Sequence, residues 1–245
     1  MLILLPASEG KAARGSGAPF GPLSFPALDP SRERVLDALI EVSGRPDALD
    51  VLGLTPGLAG EAAKNLALRT APALPARDLY TGVLYDHLGL ATLPDEAAKR
   101  AEESVLIFSG LWGVLRITDR VPPYRLSMGV SLPPLGGLAA FWRPEVSQVL
   151  DALPGLVVDM RSSAYAGAWR PGGRSVGVRV LRDGKVVSHM AKATRGAIAR
   201  TLLLTGADPG SPQELAAVLA AEGHDVRLGD APRPGRAWTL DVHVR

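Results

Sequence analysis

The chain has no cysteine in its 245 residues. That excludes disulfides, a thiolate nucleophile and a zinc ribbon, and it fits a reducing cytoplasm. Aromatic residues make up only 5% of the chain, few enough for a core to absorb most of them. No apolar run is long enough to span a membrane. The opening MLILLP lacks a basic segment before it, so it predicts a buried strand and not a signal or anchor. The histidines are His87, His189, His224 and His243; none pairs at metal-ligand spacing, so no metal site is expected. There is no G-x-S-x-G elbow. Gly15-Ser16-Gly17 lacks the third glycine of a dinucleotide loop. No repeat or low-complexity tract occurs.

A hydrophobic content of 47% with both charge signs well represented indicates a folded globule. The net charge of +2 names no partner, but its distribution is uneven. Between Arg161 and Arg200 nine Lys or Arg face the single acid Asp183, while acids gather at 29–50 and 208–230. Such a block can concentrate phosphates. Arginine also outnumbers lysine 22 to 5, and composition bias alone could scatter arginines in this way.

The element pattern is mixed. Short apolar runs at 105–108 and 156–160 read as buried strands. Ser31 is placed to cap a helix to Ser43, ended by Gly44. Thr92 and Asp95 have capping-box spacing before a helix to Glu103, and Ser211 with Glu214 opens another to Ala221. Asp183-Gly184 predicts a hairpin between 176–182 and 185–190, with His189 in its second arm. Residues 194–204 read as a helix and 238–244 as a closing strand. Strands scattered among helices indicate an α+β fold, a compact mixed sheet with surrounding helices.

Three stretches carry candidate chemistry. Pro6 to Lys11 follows a strand and offers Ser8, Glu9 and Lys11 together; it is no Walker A, because Leu5 and Ala12 stand where glycine and Ser or Thr belong. Residues 108–129, FSGLWGVLRITDRVPPYRLSMG, alternate glycine with proline and set Arg116 and Arg125 beside Trp112 and Tyr124. That composition suits a rigid polar surface, or a loop packing a core edge. Residues 52–66, LGLTPGLAGEAAKNL, read as two helical pieces around a Pro-Gly turn. Their spacing is similar to the helix-hairpin-helix module of non-specific DNA binders, whose amides meet a phosphate. Thr55, Gly57, Leu58, Ala59 and Lys64 would form that contact, with Ala59 where the module has its second glycine. A plain αα-hairpin fits the same leucines.

Taken together, these motifs resemble the YaaA peroxide-stress protein family (the DUF328 group) nearly end to end. PASEGK resembles that family's lysine-bearing first loop, and Asp78 to Gly82 its Y-x-G element. Residues 108–129 resemble its S-G-L-Y-G signature, with Trp112 for tyrosine and Ser127 for an acid. Ala191 to Gly196 resembles its A-K-x-x-R-G element.

The resemblance implies one domain over residues 1–245, a central cleft, and a helix-hairpin-helix at about 46–69. It implies a cytoplasmic protein of the hydrogen peroxide response that binds double-stranded DNA, and no cofactor is expected. Matching positions would line the cleft with Ser8, Glu9, Lys11, Tyr80, Arg116, Asp119, Tyr124, Arg125, Lys192 and Arg195, together with Ser109 and Trp112. The expectation is sequence-independent binding of phosphates by Lys11, Arg116, Arg125, Lys192 and Arg195. The alternative is an enzyme acting on a nucleotide or nucleobase-like small molecule in the same cleft. There the catalytic candidates are Ser8, Glu9, Lys11, Asp119 and Tyr124.

Overall fold

The computed structural model describes residues 1–187 and 189–244. Strands β1 (Leu2–Pro6), β2 (Leu74–Pro75), β3 (Val105–Ser109), β4 (Gly113–Arg116), β5 (Arg120–Val121) and β6 (Ser131–Leu132) form in the first half. Strands β7 (Gly136–Gly137), β8 (Val157–Asp159), β9 (Ser175–Arg182), β10 (Lys185–Val186), β11 (Val226–Leu228) and β12 (Trp238–His243) follow. The helices are α1 (Asp29–Ser43), α2 (Ala48–Leu52), α3 (Ala59–Ala63), α4 (Ala76–Leu79) and α5 (Val83–Leu88). Then come α6 (Asp95–Ser104), α7 (Leu138–Leu150), α8 (Ser163–Ala166), α9 (His189–Thr205) and α10 (Pro212–Ala221).

One eight-stranded mixed sheet organises the chain, in the order β11-β12-β9-β8-β1-β3-β4 with β10 paired to β9. Its five central strands, β12-β9-β8-β1-β3, run parallel, and antiparallel pairs close the edges. Parallel strands are covered on both faces and therefore need continuous apolar runs. LILL in β1 and VLIF in β3 meet that need, and these residues are buried. The expected mixed sheet with helices around it is what the chain builds. Among the described residues no helix is long and apolar enough to cross a membrane.

Local signals succeeded unevenly. Ser211 Oγ accepts from the Glu214 N–H at 3.2 Å, and the Glu214 carboxylate accepts from the Gly210 N–H at 2.8 Å. Ser31 is not a cap: α1 already starts at Asp29 with Pro30 in its first turn, and Ser31 is buried. Nor does Thr92 cap α6, because its hydroxyl donates to the Gly89 carbonyl at 2.9 Å. Asp183 and Gly184 turn with φ of 50° and 72°. The second arm stops at Val186, since both residues of β10 are exposed and no core holds a longer strand. His189 begins α9 instead of continuing that arm, and Ser188 lies outside the described residues.

Helices α5 and α9 cross closely at Gly196. A Cβ there would lie 2.2 Å from the Leu84 carbonyl oxygen and 2.9 Å from His87 Cβ. Backbone cannot step aside, so Gly196→Ala should destabilise the protein by about 1–3 kcal/mol in denaturant unfolding. At Gly57 a Cβ would meet no atom within 4 Å, and Gly57→Ala should stay within about 0.5 kcal/mol of the parent. Equal losses at both positions would refute the close crossing.

Candidate functional site

Parallel strands deliver their carboxyl ends to one edge of the sheet, where open α/β sheets gather ligands. At that edge β1 leaves Pro6 and enters the loop Ala7 to Lys11. The Ala7 N–H donates to the Phe108 carbonyl at 2.8 Å, and Tyr85 Oη donates to the Pro6 carbonyl at 2.9 Å. Lys11 pairs as an antiparallel bridge with Tyr80. The loop is thus tied to β3, α4 and α5. Beside it opens a cavity of ≈540 Å³, walled by Ser8, Glu9 and Gly10 on one side and by Lys192 and Arg195 of α9 on another. Val83, Leu84, Tyr85 and Tyr165 supply apolar surface.

Behind the loop runs a buried hydroxyl chain. Ser109 Oγ lies 2.6 Å from Tyr124 Oη, which lies 2.9 Å from Tyr80 Oη, and Ser109 Oγ also accepts from the Trp112 N–H at 3.0 Å. Burial pushes the Tyr80, Tyr124 and Tyr85 hydroxyls well above their ordinary pKa, so they stay protonated. Tyr165 is pushed up to about 12, first by burial and then by the Glu9 charge.

Lys11 sits on this chain. Its Nζ donates to the Ser8 carbonyl at 2.7 Å and lies 4.3 Å from the centre of the Tyr124 ring. Burial lowers its pKa to about 8; the Glu9 charge opposes the shift and the Arg125 charge adds to it. An amine near neutrality can bind an anion when charged or move a proton when neutral.

Arg125 reaches the loop from the opposite direction. Its guanidinium meets the Glu9 carboxylate at 3.2 Å and donates to the Glu9 carbonyl at 3.3 Å. Asn65, fully buried, holds the Arg125 backbone from both sides: Oδ1 accepts from its N–H at 2.8 Å and Nδ2 donates to its carbonyl at 3.0 Å. A second cavity of ≈320 Å³, lined by Gly53, Arg125 and Leu126, shares Glu9 and Ser127 with the first. Sequence reasoning missed Asn65. Its only signal was a polar residue among leucines at the end of a helical piece.

Other expected site residues lie elsewhere. Arg116 points to the start of β3, where it donates to the Glu102 and Glu103 carbonyls at 3.1 Å and 2.7 Å. Asp119 accepts from Ser24 Oγ at 2.8 Å and from the Arg116 N–H at 2.8 Å. Both therefore stand at the amino end of β3, away from the cavity, because β4 runs back antiparallel from Ser109. Trp112 is buried with its ring 5.0 Å from Phe20, and Ser109 and Tyr80 form the floor behind the cavity, not its lining. Thr55 to Lys64 forms a single 3₁₀ turn at Pro56–Leu58 followed by α3, after the short α2. Lys64 Nζ is paired with Glu61 at 2.6 Å.

The basic block divides in the same way. Arg161 pairs with Asp159 at 2.7 Å beneath Phe108, and Arg179 pairs with Asp241 at 2.6 Å. Arg200 donates to the Leu88 and Gly89 carbonyls at 2.9 Å. These arginines are held by a carboxylate or by carbonyls, whereas Lys192 and Arg195 line the cavity. Among the described residues no group of three or more His, Asp or Glu could hold a metal ion.

Residues 1–227 match the family described as peroxide stress protein YaaA. The chain belongs to that family. A UPF0246 protein of Streptomyces coelicolor is 53% identical over 256 residues, covering 100% of this chain and 98% of its own. A UPF0246 protein of Corynebacterium glutamicum is 41% identical over 236 residues, covering 91% and 93% respectively. One from Corynebacterium efficiens is 39% identical across 100% of both chains.

The depressed Lys11 pKa has a measurable consequence. From about pH 8 up to the ordinary 10.5, the unfolded chain keeps a proton that the folded chain has released. Stability from this group therefore rises with pH across that window. Urea unfolding at both ends of the window should show the parent gaining relative to Lys11→Met. A difference independent of pH would contradict the buried amine.

Proposed function

We propose that this member of the peroxide-stress family binds double-stranded DNA through its phosphate backbone, without reading sequence. What supports this reading is the convergence of Lys11, Arg125, Lys192 and Arg195, drawn from three distant segments, around one concave edge of the sheet. They differ in how available they are to phosphate, Lys11 least, since its buried amine donates to the Ser8 carbonyl. Lys192 is exposed, and no carboxylate lies within ion-pair distance of Lys192 or Arg195 among the described residues, whereas Arg125 must exchange Glu9 for its ligand.

The segment at about 46–69 would act as a helix-hairpin-helix, with the backbone of Gly57, Leu58 and Ala59 facing a phosphate. Open space around Gly57 favours close approach. The pairing of Lys64 with Glu61 limits that side chain's share. The protein would do this in the cytoplasm, as one domain over residues 1–245.

A second reading has an observation of its own. Ser8, Glu9 and Lys11 meet beside an open cavity of small-ligand size, which suits an enzyme acting on a nucleotide or nucleobase-like molecule. Glu9 would then move protons.

DNA binding through these cations releases counterions, so affinity should fall linearly with salt on a logarithmic plot. In gel-shift titrations, Lys192→Ala with Arg195→Ala should make that slope shallower by about 1 for each lost phosphate contact. An unchanged slope would remove both residues from the DNA surface.

A further inference from the structure

Arg195 carries a charge that the fold leaves without a counter-ion. Its Nη2 donates to the Val178 carbonyl at 3.2 Å, and its Nε is buried with no acceptor among the described residues. The acids on this side are already engaged, Asp159 with Arg161 at 2.7 Å and Glu9 with Arg125 at 3.2 Å. Burial depresses the arginine's pKa, and the charge of Asp159, already paired with Arg161, opposes that shift without cancelling it. Lys192, one turn earlier on α9, lines the same cavity. A half-buried cation left uncompensated is costly, and an anionic ligand would supply the missing charge.

The rest of the cavity narrows the choice of anion. Val83, Leu84 and Tyr85 present an apolar wall, while Ser8 and Ser162 add hydroxyls. Inorganic phosphate would use only the cations, and a neutral ring only the wall. The volume of ≈540 Å³ falls within the range of about 300–1,000 Å³ usual for small-ligand sites.

We infer that this cavity binds a mononucleotide, its phosphate monoester against Lys192 and Arg195 and its base against the wall of Val83, Leu84 and Tyr85. The inference rests on the reading that this cavity is the functional site. A free nucleotide and the 5′-phosphorylated end of a strand share this chemistry.

Calorimetric titration of the full chain at low salt separates the cases. The ligands are AMP, adenosine, inorganic phosphate, a 5′-phosphorylated oligonucleotide and duplex DNA. AMP should bind at least about tenfold more tightly than adenosine or phosphate. Lys192→Glu, at an exposed position, should weaken AMP about tenfold while the unfolding midpoint stays in place. Tighter binding of the phosphorylated oligonucleotide would identify a strand end as the source; tighter AMP would identify the free nucleotide. Equal affinity for AMP and phosphate, no saturable AMP binding, or an indifferent Lys192→Glu would each overturn the inference. Duplex binding with no AMP binding would sink this inference alone, and AMP binding with no duplex binding would sink the DNA reading alone.

Discussion

The site stands on a row of three buried hydroxyls. Ser109, Tyr124 and Tyr80 come from three separated segments and meet within 2.6 Å and 2.9 Å of one another. Each hydroxyl is buried, so the two tyrosines depend on this row for a partner, while Ser109 also accepts from the Trp112 N–H. Leaving one unsatisfied would cost about 1–3 kcal/mol. Because burial keeps the tyrosines protonated, every member can both give and accept a hydrogen bond. Lys11 rests on the Tyr124 ring, and its bridge to Tyr80 fixes the first loop over the same floor. Geometry at the sheet edge is therefore set from beneath.

Charge at that edge is graded. Most arginines of the central basic stretch serve the fold: they hold carbonyls, as Arg174 and Arg200 do, or pair with a carboxylate, as Arg161 and Arg179 do. Arg32 shows the same habit in another region, buried while donating to the Trp112 and Val114 carbonyls at 3.1 Å and 2.9 Å. Against that background Lys192 and Arg195 stand apart, because neither pairs with a carboxylate among the described residues and Arg195 spends only one donor on backbone, the Val178 carbonyl. Arg125 is intermediate, since Glu9 occupies its guanidinium and Asn65 fixes its main chain. A polyanion approaching this edge would meet two available cations and a third held by an exchangeable carboxylate.

Much of the fold was legible because it rests on local rules. The apolar runs of β1 and β3, the positive φ at Asp183-Gly184 and the Ser211 cap follow from residues within a few positions of each other. Ser31 and Thr92 show the limit, because a nearby proline set each helix start first. The site was legible where motifs lie at strand ends, as for Ser8, Glu9 and Lys11. It was not legible where direction decides: Arg116 and Asp119 sit in the same motif as Tyr124 and Arg125, yet β4 carries them to the far end of the sheet. Asn65 was missed because its role exists only through contact with Arg125, sixty positions on.

Hydrogen exchange with and without duplex DNA tests the central claim most directly, since it reports which backbone the polyanion covers. The account predicts protection at residues 7–11, 57–59, 82–85, 125–128 and the first two turns of α9, with little change at the opposite edge around 100–104 and 202–208. Protection confined to that opposite edge, or spread evenly over both, would contradict a single phosphate-binding concavity.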